Sequence, residues 1–102
     1  MTDALVISGD DGTITVAPSV LLQVVRGAAE AADGARVRRA RRGVDVAVSD
    51  GCARVSLELA VRYGAVLPDV AEDVQRRVAE ALRTMCGVDP QAVDVAIEEL
   101  EE

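Results

Sequence analysis

Hydrophobic and polar positions along this chain follow two rhythms, one of period two and one close to 3.6. Val55, Leu57, Leu59 and Val61 alternate with Ser56, Glu58, Ala60 and Arg62, which gives a strand with one buried face. Tyr63 and Gly64 break that alternation. Pro68 suits a first helical turn, where its missing N–H would be unpaired anyway, and Asp69, Glu72 and Asp73 set negative charge at the positive end of the helix dipole. Val70, Val74, Val78, Leu82 and Met85, with Ala71 and Ala81 beside them, then form one apolar stripe. The spacing predicts a helix over 68–86, with Gly87 placed to take the left-handed conformation after its last turn.

The same two rhythms organise the rest. Residues 4–8 are apolar, Asp10-Asp11-Gly12 is turn chemistry and Thr13 to Ala17 alternates, so the N-terminus reads as a small hairpin. Val20, Leu21, Val24, Val25, Ala28 and Ala29 fall at helical spacing between Pro18 and Ala32, with Asp33-Gly34 ending the pattern. Val44, Val46 and Val48 alternate, and Ser49-Asp50-Gly51 turns them back onto the strand at 52–62. Val93, Val95 and Ile97 form a last alternating run. The order βαββαβ predicts an α+β domain of two layers, with two helices on one face of a mainly antiparallel sheet and an extra N-terminal strand from the hairpin. The other face carries Thr15, Asp45, Ala47, Ser56, Glu58, Ala60, Arg62, Asp94 and Ala96, small or polar enough to meet water or a partner.

The order of these pieces resembles the bacterial alkaline-shock and general-stress protein family, the envelope stress response proteins. The resemblance lies in a strand ending at Tyr63-Gly64, the apolar turn Val66-Leu67, and the helix pattern Val70-Ala71, Val74-Gln75, Val78. It extends back to the Ile14 to Ala17 strand and forward to Val93 to Ile97, covering roughly 12–98. An arginine-rich stretch, where many members have a short Gly-Val turn, is the main departure. The resemblance implies a non-enzymatic cytoplasmic adaptor or scaffold of the cell-envelope stress response. Such a protein acts by protein–protein association near the membrane, held there by a membrane-anchored partner.

Composition adjusts this picture in a few places. At 102 residues the chain is expected to fold as one domain spanning 1–102, able to hide roughly 65% of its unfolded surface. With no Phe or Trp, its core must come from Val, Leu, Ile and Ala. The net charge of −7 argues against general nucleic-acid binding, which needs a broad cationic surface. Charge is nevertheless uneven: Arg36, Arg38, Arg39, Arg41 and Arg42 crowd one stretch, and Glu98, Glu99, Glu101 and Glu102 close the chain. The planar guanidinium fork makes this arginine cluster the candidate contact for an acidic partner, a phosphate or an anionic membrane surface. The bland alternative is a solvated connection whose charges pair with nearby acids.

Chemistry beyond binding is sparsely supported. There is no histidine, and Glu72, Asp73 and Glu80 fall opposite the helix stripe while Asp45, Glu58 and Asp94 alternate outward from strands, so no catalytic residue is expected. Gly9 to Gly12 has the spacing of a phosphate-clamping GxxG loop, but its centre is acidic and it precedes a strand. Cys52 and Cys86 lack metal-ligand spacing and read as reduced thiols, and no cofactor cradle is visible, so neither metal nor cofactor is expected. Tyr63 is expected to pack into the corner it occupies. The first residues lack a basic start and no apolar run approaches the ~20 residues of a membrane span, which points to the cytoplasm. Open sheet edges imply a homo-oligomer. The competing reading is a small RNA-binding or ribosome-associated module, which the missing aromatic platform disfavours; a small-molecule-binding domain is a third.

Overall fold

The longest run of alternation, Cys52–Arg62, becomes the central strand on which the rest is assembled. The computed structural model describes residues 2–38 and 43–102. Its elements are β1 (Leu5–Gly9), β2 (Gly12–Val16), α1 (Pro18–Glu30), β3 (Ala35–Val37), β4 (Val44–Ser49), β5 (Cys52–Arg62), α2 (Leu67–Ala81), a π turn at Leu82–Cys86, and β6 (Asp89–Glu101). Strand β6 runs parallel to β5 along its whole length, reached through α2, because parallel neighbours need a crossover. The opposite edge of β5 is shared. β3 pairs antiparallel with Leu59 to Val61 and β4 antiparallel with Cys52 to Leu57, so the two lie in tandem as one interrupted strand.

That interruption reconciles the observed elements with the expected βαββαβ order. The Arg38 N–H donates to the Glu58 carbonyl and the Glu58 N–H donates to the Gly43 carbonyl, each at 2.9 Å, so both ends of the 38–43 excursion sit on one β5 residue. Both helices cover the same face. Leu21, Val25 and Ala29 of α1 and Val70, Val74 and Val78 of α2 join Val55, Leu57, Leu59 and Val61 in one core cluster.

Three details differ from the sequence expectation. The hairpin β1–β2 forms its own two-stranded sheet, so Thr15 belongs to it and not to the outer face of the main sheet. Only Leu5 of the hairpin is buried, while Val6, Ile7 and Ile14 are exposed. Met85 is also exposed, at 70%, because the α2 ladder widens into the π turn after Ala81. A wider turn carries fewer degrees per residue, so Cys86 continues the buried line from Leu82 and Met85 is rotated off it. Gly87 takes φ +67° as its position requires, and Val88 turns back into the core.

Candidate functional site

Two of the five candidate arginines project from the interrupted edge strand onto the outer face of the sheet. Arg36 stands opposite Ala60, which on its other side pairs with Glu99, and Arg62 pairs with Glu101. Pleating therefore puts Arg36, Glu99 and Glu101 on one face, with Ala60 between them. Arg36 Nε donates to Glu101 Oε1 at 3.1 Å and its Nη2 to Oε2 at 2.5 Å, a two-pronged bridge laid across β5. Arg38 Nε donates to Glu99 Oε1 at 2.8 Å and its Nη1 to Glu58 Oε1 at 3.4 Å. Ala60, on the open face, is nonetheless completely buried, and its methyl group suits a site roofed by these side chains.

The bridge perturbs its own members. The hydrogen bond from Arg36 holds the Glu101 carboxyl below the usual carboxylate range, and the same bond and charge raise Arg36. For Arg36 and Arg38 the structure thus favours pairing with nearby acids, and the acids that close the chain are their partners. Arg39, Arg41 and Arg42 lie outside the described residues. On α2, Arg77 and Arg76 both reach Asp73, and the Arg77 hydrogen bond lowers that carboxyl.

An open depression of about 860 Å³ is lined by polar Thr2, Asp45, Ser56, Glu58 and Asp94 and by apolar Pro18, Leu22, Val44, Leu57, Val95 and Ala96. Asp45 and Asp94 flank Ser56 in the ladder, two strand spacings apart, or about 10 Å between backbones. Thr2 Oγ1 donates to Asp45 Oδ1 at 3.2 Å. The polar part of this lining is acidic and hydroxyl-bearing, which suits cationic groups over phosphate, and the rest is apolar.

A second surface forms where β5 ends. Gly64 takes φ +97°, a conformation that costs glycine little, and the Ala65 N–H donates to the Arg62 carbonyl at 3.2 Å to close the turn. Ala65 packs against the core, which leaves Tyr63 on the outside of the turn, fixed by its backbone N–H to the Glu101 carbonyl. Tyr63 is 67% exposed, so the expectation that it packs into the corner is corrected. Val66, Leu67 and Leu100 are exposed at the same end. An aromatic and three aliphatic side chains are therefore exposed near the carboxyl ends of the parallel pair β5–β6. Sequence periodicity missed this surface because a turn has no period. The signal available was an apolar pair, Val66-Leu67, placed before the helix stripe begins.

Cys52 is half-buried and Cys86 buried, both as free thiols, and burial pushes the Cys86 thiol up. Among the described residues no cluster of Cys, Asp and Glu is placed to hold a metal ion, and no helix is long and apolar enough to cross a membrane. The model of the alkaline-shock protein 23 family, described as having a cell envelope-related function, matches residues 35–101. That span runs from β3 to β6 and takes in both the bridged outer face and the Tyr63 corner. No curated protein and no solved structure matches the chain.

Proposed function

Because this chain belongs to the alkaline-shock protein 23 family, whose function is cell envelope-related, we propose that it is a non-enzymatic adaptor of the envelope stress response, acting by protein–protein association at the cytoplasmic side of the membrane. The observation that carries this reading is the Tyr63, Val66, Leu67 and Leu100 corner. A tyrosine ring with aliphatic neighbours offers a large contact area at low entropic cost and no reacting group, the composition of a binding anchor. The arginines beside it at Arg36 and Arg38 are already matched with glutamates, which supports a structural role for them and leaves the apolar corner to hold the partner. The protein self-associates and presents several such corners to a membrane-anchored partner, which raises avidity without new contacts.

The test is affinity purification from detergent-solubilised native cells, comparing the natural protein with the double variant Tyr63→Ser, Val66→Ser. A membrane protein that co-purifies with the first and is lost from the second, at unchanged melting temperature, supports the adaptor reading. Recovery of both proteins alone overturns it.

A further inference from the structure

The two edges of the main sheet are treated differently. Along β3 and β4 the outward backbone groups are capped by the chain itself: Glu30 Oε2 accepts the Val37 N–H at 3.1 Å, Thr2 Oγ1 accepts the Val46 N–H at 3.2 Å, Asp3 Oδ2 accepts the Val48 N–H at 3.1 Å, and the Asp3 N–H donates to the Val46 carbonyl at 3.0 Å. A second chain cannot add there without displacing these contacts. Along the stretch of β6 between its two irregularities, among the described residues, one cap is present, from Gln75 Nε2 to the Val93 carbonyl at 2.9 Å. Because that carbonyl is reached from the helix flank, Val93 is a residue whose N–H and C=O point away from β5, and so by alternation are Val95 and Ile97. Their side chains lie on the core face, half-buried because, among the described residues, no strand lies beyond β6.

We infer that the open β6 edge is the self-association surface, and that two copies join there antiparallel about a two-fold axis at Val95. The inference rests on the self-association proposed above and names its surface and register. Keeping both helical layers on one side of a continuous sheet requires a two-fold centred on a residue, and charge selects which one. Centring on Asp94 sets Asp94 against its own copy, and centring on Ala96 sets Asp94 against Glu98 twice. Centring on Val95 sets Val95 against Val95, Val93 against Ile97 and Asp94 against Ala96, with no like charges opposed. Val93, Val95 and Ile97 then exchange about six backbone hydrogen bonds and extend the apolar face across the junction. The register shifts at Gln91 and Glu98 end the ladder on either side, which limits pairing to this segment.

The experiment uses exposed Ala96, which touches the partner's Asp94 in this register alone. Sedimentation velocity is run on the full chain, on Ala96→Glu, and on the charge-swapped Asp94→Arg, Ala96→Glu. The natural chain should dimerise. Ala96→Glu opposes two pairs of like charges by symmetry and should raise the dimer dissociation constant by about 2- to 30-fold. The swap opposes Arg to Glu twice and should recover the lost affinity, with circular dichroism melts confirming that each variant folds. A monomeric natural chain at high micromolar concentration overturns self-association itself. A dimer whose dissociation constant ignores Ala96→Glu, or is not rescued by the swap, overturns this surface while leaving self-association standing.

Discussion

Replacing Leu82 by Ala and, separately, Met85 by Ala tests the π turn that closes α2, since both residues belong to one stripe if the helix stays regular. Leu82 is fully buried at the junction of α2 with the turn, whereas Met85 is largely exposed. Leu82→Ala removes three carbons, about 2.4 kcal/mol of transfer free energy at about 0.8 kcal/mol each. Incomplete collapse of the cavity adds to this, giving about 3 kcal/mol within the usual range of about 2–5. For a domain of this size each kcal/mol moves the melting temperature by about 4–8 °C, so the expected loss is about 12–24 °C. Met85→Ala should stay within about 0.5 kcal/mol, or about 4 °C, as exposed substitutions do. Thermal melts followed at 222 nm, with urea midpoints as a second measure, read both. Equal losses for the two variants would refute the rotated turn, and a near-zero shift for Leu82→Ala would refute the core itself.

Lengthening Ala60 to Leu should lift the Arg36 and Arg38 side chains off β5 and lower the urea midpoint, while the same change at exposed Ala47 should leave it almost unmoved. In carbon-detected NMR titrations, Glu101 should lose its proton below the ordinary glutamate range and return to that range in Arg36→Ala; because its folded value is depressed, the stability it contributes is present above the unfolded value and fades as pH falls through the folded one. Alkylation followed by mass spectrometry should label half-buried Cys52 well before buried Cys86, and equal rates would contradict the burial of the second thiol.

Much of the fold was legible because alternation and the helical stripe both report a buried face directly. The strand at 52–62, both helices and the left-handed Gly87 follow from periods that tertiary packing had no reason to override. What stayed hidden has no period. Strand β3 is three residues long, and its one buried residue, Val37, sits among arginines whose spacing suggested a solvated connection. Its strand character comes from pairing with Val61 to Leu59, a contact too distant in sequence to be read locally. The partners of Arg36 and Arg38 were hidden for the same reason, since bulges in β6 decide which glutamates come level with them. The exposure of Tyr63 depends on the positive φ at Gly64, where the glycine announced a turn without saying which side the ring would take.

The interrupted edge strand has a consequence for how this protein tolerates change. Since Arg38 and Gly43 are both tied to the backbone of Glu58, a single residue of β5 sets the register of β3 and β4 at once. A proline at that position removes the N–H given to the Gly43 carbonyl, so one substitution at 58 loosens the seam between β3 and β4, whereas changes on the exposed outer side chains leave it closed.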